Sequence, residues 1–273
     1  MLLGTGLSAP GAAADLPALR VPGWERVPNL VHGFLTRHGG VSGGPFAALN
    51  LSTQVGDDAE AVAENWRRVA AGAAAGLRVA TMRQVHGATV VSVNEDTVDA
   101  EEADGVATRA RGLALGVLTA DCVPILLVAP THGVVAAVHA GWRGTVAGVT
   151  ARTLDHLAAA FAVPPSDVYA ALGPSIGGCC YETDRRVADQ LEQRWGSLPG
   201  VVRERAHGKV RLDLRQANAE MLVRCSVPRA QLSRVGPCTQ CAAADFFSHR
   251  GARGRTGRQL SFIGWCAGTA ADA

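Results

Sequence analysis

The feature that most constrains the fold is an almost uncharged stretch at residues 112–140, GLALGVLTADCVPILLVAPTHGVVAAVHA. A membrane-spanning helix needs roughly 20 uninterrupted apolar residues. This stretch does not meet that requirement, because it is interrupted by Asp121, Pro124, Pro130 and His132. The pieces between these residues are short and rich in Val, Ile and Leu, which is typical of buried strands. We therefore predict strands of one central sheet at 112–119, 123–129 and 133–139.

Helical and strand patterns are mixed on both sides of this stretch. An acidic first turn at Asp57 and Asp58 begins a helical pattern that Gly76 closes, and TVAGVTARTLDHLAAAF predicts a helix that stops before Pro164. Further helices are expected at about 184–195 and 214–225, and further strands at 88–93, at 167–173 and in QLSFIGW. Several strands in direct succession favour an α/β or α+β fold on a mixed sheet. We expect a loose N-terminal segment at 1–28 and a single domain at 29–273.

Composition excludes several classes of protein. Hydrophobic residues make up 48% of the 273 residues and charged residues 18%, which is ordinary for a globular chain. The formal net charge is +2, so the chain lacks the basic footprint of a nucleic-acid binder. One local basic cluster exists, for which a solvated loop is the favoured interpretation and an anion-binding edge the alternative. Its members are Arg250, Arg253, Arg255 and Arg258.

The cysteines indicate a reducing compartment. Their number, 7, is odd and lacks the spacing of a small disulfide scaffold, so reduced thiols in a cytoplasm are expected. The N-terminus also lacks the positive region of a signal peptide. Cys238 and Cys241 form a C-x-x-C pair, which suits a redox pair, half of a zinc site or no role, and we favour a structural role. The adjacent Cys179 and Cys180 are expected to be packed thiols that do not bridge each other.

Three potential metal ligands lie at the ends of predicted strands. Cys122 follows LALGVLTA, His139 ends GVVAAVHA, and His86 precedes ATVVSV. Sites commonly assemble at such junctions, and Cys with neutral His suits zinc. Three protein ligands leave one open position, at which a catalytic zinc activates water or polarises a substrate oxygen. The spacing matches no local metal motif, so a buried thiol with two hydrogen-bonded histidines remains the alternative.

Two charged neighbours of these residues are candidate catalytic residues. Asp121 adjoins Cys122 inside an apolar run, where a carboxylate needs a partner. It is expected to accept an imidazole N–H, to bind substrate, or to close the metal site as a fourth ligand. Arg143 lies in a glycine-flanked turn before a helix, where backbone N–H groups and a guanidinium form an anion site. A surface salt bridge is the alternative role for Arg143.

A series of short motifs runs from about residue 29 to 265. In order they are TRHGGVSGGPFAALNLS, VGDD with AENWRRV, RQVHG, EEADGVAT, TADCVPILL, AVHAGWRG, GPSIGGCCYE, LDLRQANAEML, CTQC and FFSHR with a later GR. In these motifs and their order the chain resembles the YfiH family, also called the laccase-domain or multicopper polyphenol oxidase family. The combination of QVHG, TADC and HAGWRG is highly specific.

The resemblance implies a fold, a metal and a set of site residues. The fold is a single mixed-sheet α/β sandwich with flanking helices, and the expected cofactor is one zinc ion per chain. The family's ligands are the His of QVHG, the Cys of TADC and the His of HAGWRG, which correspond to His86, Cys122 and His139. Arg143 is the first choice for holding phosphate and Arg37 the second. Substrate-binding roles are expected for Arg37, Asn50, Gln84 and Ser175.

The activity that the resemblance implies is purine nucleoside chemistry. Phosphorolysis of adenosine, inosine, guanosine and methylthioadenosine is expected, together with deamination of adenosine. The expected partners are purine nucleosides and phosphate, with no nucleic acid and no membrane. Copper polyphenol oxidation and peptidoglycan-precursor editing are the alternatives within the family, and a metal-stabilised binding protein without turnover is the alternative outside it. Copper is the less favoured metal, because none of the 8 histidines forms a His-x-His pair.

Some residues depart from the family pattern or suggest another class. Trp66 stands where an Arg is usual, and Gly251 stands where a second Arg is common. Both positions lie outside the three expected metal ligands, so the differences concern the rim of the site. The string P-C-x-x-C at 237–241 is shared with cytidine-type zinc deaminases. Those enzymes also need H-x-E, which the chain lacks, so that class is excluded.

Overall fold

The computed structural model describes residues 16–74, 76–96 and 100–267. Within these residues the strands are β1 Ala18–Leu19, β2 Leu30–Leu35, β3 Arg78–Ala80, β4 Met82–Arg83, β5 Val90–Ser92, β6 Ala100–Glu102, β7 Gly105–Thr108, β8 Leu113–Thr119, β9 Val123–Ala129, β10 Val134–Ala140, β11 Tyr169–Leu172, β12 Glu182–Asp184, β13 Val202–Glu204, β14 Lys209–Leu212, β15 Leu232–Arg234 and β16 Gln259–Trp265. The α-helices are α1 Ala59–Ala71, α2 Trp142–Ala147, α3 Val149–Phe161, α4 Arg185–Trp195 and α5 Leu214–Arg224.

Two mixed sheets form the centre of the protein. The first has the strand order β1-β2-β16-β8-β3, antiparallel except for the parallel pair β3 and β8. The second has the order β15-β11-β9-β10-β7-β5, with parallel pairs at both edges and antiparallel pairs between them. Two small sheets, β12-β14-β13 and β4-β6, complete the described strands.

Three apolar clusters show that the elements pack in four layers. Leu115 of β8 and Ile263 of β16 pack with Leu126 of β9 and Val135 of β10 between the two sheets. Helix α1 covers the outer face of the first sheet, and α3 and α5 cover the outer face of the second. Burial of apolar surface between these layers is the main force that stabilises them. The predicted α/β sandwich with flanking helices is confirmed.

The apolar stretch at 112–140 forms the three predicted strands, but its assignment to one central sheet is wrong. β8 belongs to the first sheet, whereas β9 and β10 belong to the second. The chain therefore passes from one sheet to the other through residues 120–122. All three strands have both faces buried, so their composition is the same whichever sheet they join.

Two predicted helices have different bounds in the structure. The helix after Asp58 ends at Ala71 instead of reaching Gly76, while the Asp58 carboxylate caps it by accepting the Ala61 N–H at 2.8 Å. The helix expected after GWRG begins inside that motif, at Trp142, and is broken at Gly148 into α2 and α3. Gly148 has a φ of +82°, a left-handed conformation that ends one helix and starts the next.

The predicted loose segment at 1–28 needs correction in its second half. Residues 1–15 lie outside the described residues, but residues 16–28 pack on the folded unit. β1 pairs with β2 at the edge of the first sheet, and Leu16, Val21 and Trp24 are buried. The apolar side chains of this part therefore contribute to the core. Among the described residues, no helix is long and apolar enough to cross a membrane.

Candidate metal centre

The passage of the chain between the two sheets creates the centre of the candidate site. Asp121 has a φ of +89°, which is uncommon for a residue with a side chain and often accompanies a functional constraint. Its carboxylate accepts the Thr239 hydroxyl and the Arg250 backbone N–H, each at 2.6 Å, and its carbonyl accepts the Ile176 N–H at 2.9 Å. These bonds fix the turn that carries Cys122.

Cys122 lies beside His86 and His139, and we call these three residues the mixed site. His139 is near the end of β10, and His86 lies in the loop between β4 and β5. One ligand atom of each residue lies within 4.8 Å of the other two, and Cys122 Sγ is 3.9 Å from His86 Nε2. The two imidazole rings meet edge to face, with centroids 4.7 Å apart. His139 is buried while His86 is exposed, so the mixed site opens on one side.

The carboxylate of Asp104 orients two of these ligands. It is fully buried, and its Oδ1 lies 2.7 Å from His139 Nδ1, which leaves Nε2 of that ring for a metal. The same carboxylate accepts the backbone N–H groups of Val85, His86 and Gly87 at 3.3, 3.0 and 2.6 Å. Those bonds support the φ of +60° at His86. Burial alone would raise the pKa of Asp104, but His139 and the backbone donors hold it below its usual value.

The charges of the mixed site favour metal binding. Burial opposes ionisation of Cys122, yet the neighbouring His139 and His86 lower the pKa of this thiol to about 6. Burial also opposes protonation of His139, but Cys122 and Asp104 raise the pKa of His139 to about 9. The lowered pKa of Cys122 favours its thiolate, which is the form of cysteine that binds a metal ion. One sulfur and two nitrogen ligands suit a zinc ion with an open fourth position.

Gly141 provides the space that the mixed site needs. A Cβ at this position would lie 2.9 Å from His86 Cδ2 and 3.2 Å from Cys122 Sγ. Its φ of −74° is accessible to any residue, so a side chain is excluded here by the ligands and not by the backbone. Close packing against two ligands of the mixed site therefore explains why the first glycine of HAGWRG, Gly141, has no side chain.

A cavity of about 700 Å³ opens over the mixed site. This volume is in the range of small-molecule sites. Its apolar lining includes Leu51, Trp66 and Met82, and its polar lining includes His249 and Arg258. The remaining lining residues are Ser52, Thr53, Gln54, Val55, Val79, Thr81, Gln84, His86, Leu118, Thr119, Ala120, Cys122 and His139. Metal ligands, an aromatic ring and a guanidinium thus face one space.

Two of the predicted substrate-binding residues hold the cavity wall together. Gln84 lines the cavity, and its amide both donates to and accepts from the Leu118 backbone at 2.8 Å. Asn50 is fully buried, donates to Asp57 Oδ2 at 2.8 Å and accepts the Arg258 N–H at 2.9 Å. Asn50 therefore fixes the backbone of the residue whose guanidinium lines the cavity.

The other predicted residues lie apart from the described cavity lining. Arg37 donates to the carbonyl groups of Ala47 and Ala243 and lies over the Phe247 ring. Arg143 is exposed, with its guanidinium carbon 4.4 Å from the Trp142 ring centroid. Ser175 is fully buried, and its hydroxyl is without a hydrogen-bond partner among the described residues. None of these three residues is among the residues that line the cavity.

The expected roles of Asp121 also change. Its carboxylate bonds Thr239 and Arg250, whereas the carboxylate that accepts the imidazole N–H is Asp104. Asp121 is likewise outside the group of potential ligands formed by the mixed site among the described residues. The backbone at Asp121 is left-handed. The Asp121 side chain contacts Thr239 and Arg250, whereas the Cys122 side chain lies beside the two histidines. Neither the imidazole contact nor the closing fourth ligand is therefore made by Asp121.

Sequence reasoning missed Asp104, His249 and Arg258 as site residues. Asp104 carried a usable signal, because it is an acid within the otherwise apolar sequence ADGVA, much as Asp121 is within TADCV. Arg258 belonged to the basic cluster that was expected to be a solvated loop. Three members of that cluster are exposed, but Arg258 is partly buried in the cavity wall. The interpretation as a solvated loop therefore fits the three exposed members and not Arg258.

Comparison with known proteins agrees with this geometry. Residues 31–266 match the family described as multi-copper polyphenol oxidoreductase laccase. The chain belongs to this family. It is 42% identical over 253 residues to purine nucleoside phosphorylase YlmD of Geobacillus stearothermophilus, covering 86% of this chain and 90% of that protein. It is 41% identical over 261 residues to a purine nucleoside phosphorylase of Deinococcus radiodurans, covering 94% of this chain and 95% of that protein.

Solved structures in this family have the same fold. The crystal structure of YlmD from Geobacillus stearothermophilus matches with a TM-score of 0.84 at 38% identity, over 92% of this chain and 97% of that chain. The crystal structure of the hypothetical protein YfiH from Bacillus licheniformis matches with a TM-score of 0.85 at 31% identity, over the same shares of the two chains. The resemblance inferred from the motifs is thereby confirmed.

Proposed function

We propose that this family member is a zinc-dependent purine nucleoside phosphorylase that also deaminates adenosine. The observation that carries the proposal is the convergence of His86, Cys122 and His139 beneath a cavity large enough for a nucleoside. The names of its relatives support the same reaction. Adenosine, inosine, guanosine and methylthioadenosine are the proposed substrates, with one zinc ion at the mixed site.

The cavity lining suits both parts of the reaction. The Trp66 ring offers a flat apolar face to a purine, and its Nε1 is fixed by donation to the Leu51 carbonyl at 3.0 Å. Arg258 is the one arginine or lysine among the described residues that line the cavity, and a guanidinium binds phosphate through paired N–H donors. We therefore place phosphate at Arg258 and retain Arg143 as the alternative to be tested beside it.

Phosphorolysis needs a nucleophile to be held and a leaving group to be released. A phosphate oxygen forms a bond to C1′ of the ribose, the C1′–N9 bond breaks, and the purine leaves with the electron pair and takes up a proton. When bound, zinc supplies a Lewis acid that polarises an oxygen at the cavity floor. The protein holds the reactants against each other, which lowers the entropic part of the barrier. His249 lines the cavity and is the proposed proton donor to the purine.

The donor set makes zinc a better fit than a multicopper centre. Outside the mixed site, His38 pairs with Asp245 and His132 with Asp167, while His156 bonds Ser92. Among the described residues, the mixed site is the sole histidine-containing group of three or more potential ligands. A multicopper oxidase needs further histidine ligands close to such a site. Phenol oxidation is therefore not the activity that these residues favour.

Chromatography of nucleosides incubated with the purified protein tests the proposal. With zinc and phosphate we expect free purine base and ribose 1-phosphate, and without phosphate we expect inosine from adenosine but no free base. A chelator should stop both reactions and added zinc should restore them. Zinc-loaded protein that releases no base, together with phenol oxidation by copper-loaded protein or cleavage of peptidoglycan precursors, would contradict the proposal.

A further inference from the structure

Four cysteines come together in two loops that contact Asp121. Cys179 and Cys180 end the loop that follows β11, and Cys238 and Cys241 lie in the loop that follows β15. We call these four residues the thiol cluster. Their sulfur atoms all lie within 4.8 Å of one another, and Cys241 Sγ is 3.6 Å from Cys179 Sγ and 3.4 Å from Cys180 Sγ. Both Cys179 and Cys180 are free thiols, but Cys179 is exposed, so the expectation of packed thiols is wrong for that residue.

The sulfur spacing matches a metal tetrahedron and not a disulfide. A disulfide joins two sulfurs at about 2.05 Å and has no use for two more beside it. Sulfurs bound to zinc at about 2.3 Å with tetrahedral geometry lie about 3.8 Å apart. The observed separations of 3.4 and 3.6 Å are close to that value and share one atom, Cys241 Sγ. All four thiols thus surround one point.

Backbone donors are directed at one of the four sulfurs. Gly177 donates its N–H to Cys238 Sγ at 3.2 Å, and the backbone N–H groups of Gln240 and Cys241 also bond this sulfur. They lower the pKa of Cys238 although the residue is buried, whereas burial and the neighbouring sulfurs raise the pKa of Cys179 to about 11. Donors of this kind stabilise a metal-bound thiolate, and a cation would relieve the repulsion among the others.

We propose that Cys179, Cys180, Cys238 and Cys241 form a second metal site, a closed tetrathiolate that holds one zinc ion and stabilises the fold. Four sulfur ligands around one point select zinc, and four protein ligands leave no open position for chemistry. Binding releases the protons of the thiols into solution and involves no oxidation or reduction. The total then becomes two zinc ions per chain, one in each site.

The second ion would connect two loops that both contact Asp121. In the first loop Ile176 donates its N–H to the Asp121 carbonyl at 2.9 Å. In the second, Thr239 stands next to Cys238 and donates its hydroxyl to the Asp121 carboxylate at 2.6 Å. The loops also meet directly, because the Thr239 N–H bonds the Ser175 carbonyl at 3.1 Å. A zinc ion in the thiol cluster therefore supports the turn that carries Cys122.

Metal analysis in a background without the mixed site tests this proposal. Protein purified with zinc and a thiol reductant is measured by elemental analysis as Cys122→Ala, as Cys122→Ala with Cys238→Ser, and as Cys122→Ala with Cys266→Ser. Cys266 lies outside both sites and is the matched control. We expect one zinc ion per chain in Cys122→Ala, none when Cys238→Ser is added, and one when Cys266→Ser is added. Because the mixed site is absent throughout, failure of the proposed phosphorylase activity does not affect the outcome.

The spectrum of the wild-type protein loaded with cobalt gives an independent result if a variant does not fold. A cobalt ion bound by four thiolates has intense visible bands and intense sulfur-to-metal charge-transfer bands. A cobalt ion with one sulfur ligand gives weaker bands, so we expect the intense bands in the wild-type protein. The proposal is overturned if Cys122→Ala with all remaining thiols reduced holds no zinc. It is equally overturned if Cys122→Ala with Cys238→Ser still holds one zinc ion. A disulfide between two of the four cysteines in the purified protein would overturn it as well.

Discussion

The mixed site and the thiol cluster are two groups of potential metal ligands, and both are connected to the turn at Asp121. The mixed site has two imidazoles and one thiol and opens on a cavity, whereas the thiol cluster has four thiols. Three ligands leave room for a reacting molecule, and four ligands close a site. The two proposals together therefore assign chemistry to the group of three ligands and stability to the group of four.

The two regions also differ in what holds them. The mixed site is oriented by a buried carboxylate, Asp104, which contacts His139 and the loop of His86. In the thiol cluster, backbone N–H groups are directed at the sulfur of Cys238. A carboxylate strengthens the basicity of a ligating imidazole, while backbone donors stabilise a thiolate. Each supporting group therefore suits the chemistry of the ligands that it supports.

Loss of a ligand from each region should give the largest contrast. Cys122→Ala is expected to reduce phosphorolysis about a thousand-fold or more, because a metal that polarises oxygen contributes several kcal/mol to the rate. The large core should keep the fold intact. Cys241→Ser should leave most of the activity but lower the unfolding temperature. Steady-state rates and circular dichroism melts check this, and full activity in Cys122→Ala would remove the mixed site from catalysis.

Removing the carboxylate behind the mixed site should have the next largest effect. Asp104→Asn keeps the shape but weakens the contact to His139 Nδ1 and the bonds to residues 85–87. We expect zinc affinity at the mixed site to fall roughly 10- to 100-fold. Competition titration with a chelator measures it. Asp167→Asn, which alters the surface pair with His132, is the matched control and should leave zinc affinity unchanged. Equal affinities in the two variants would contradict the role of Asp104.

The cavity above the mixed site offers a third test, which concerns substrate and not metal. Arg258→Lys should raise the KM for phosphate about ten-fold, since the lost paired hydrogen bond to an anion is worth about 1.5 kcal/mol. Arg143→Lys is the comparison, because both guanidiniums are candidates but only that of Arg258 lines the cavity. Rates measured against phosphate concentration decide between them. If the KM for phosphate rises in Arg143→Lys and not in Arg258→Lys, phosphate binds at Arg143.

Local patterns predicted much of the fold, and the sequence also predicted the three residues that the structure brings together in the mixed site. The bounds of β9 and α5 follow closely from their apolar runs and flanking residues. The division of β8 and β9 between two sheets could not be predicted. A strand that is buried on both faces is a continuous apolar run, and such a run does not indicate which strand it pairs with. A crossing after β8 is decided by packing across the whole core. That crossing is also what brings Cys122 to the histidines.

The parts of the site that were missed depend on contacts between distant segments. Asp104 acts on His139 across two paired strands, β7 and β10, and Arg258 reaches the cavity because Asn50 holds its backbone. The thiol cluster likewise joins loops that follow β11 and β15, which are neighbours in the second sheet. C-x-x-C alone is ambiguous, and adjacent cysteines alone are equally so. Their meeting is a property of the sheet order, which the sequence pattern did not reveal.

The smallest effect should come from the contact that joins the two regions. Thr239 is fully buried, and its hydroxyl donates to the Asp121 carboxylate at 2.6 Å. Thr239→Val keeps the shape and leaves Asp121 Oδ2 bonded to the Arg250 N–H. A hydrogen bond to a charged group contributes about 1.5–3 kcal/mol, so the free energy of unfolding should fall by about that amount. The turn at Asp121 should loosen, and phosphorolysis should fall only a few-fold.

A matched control for this last change is Thr153→Val. Thr153 is also fully buried, but its hydroxyl donates to the neutral Val149 carbonyl within α3 and not to a side chain of either set of ligands. Its loss should lower stability by about 1 kcal/mol without changing the rate. If Thr239→Val lowers stability but leaves both the rate and zinc affinity of the mixed site unchanged, the two regions are joined through stability alone. If the rate falls in Thr239→Val and not in Thr153→Val, the thiol cluster supports catalysis through Asp121, because this hydroxyl is the side-chain link between them.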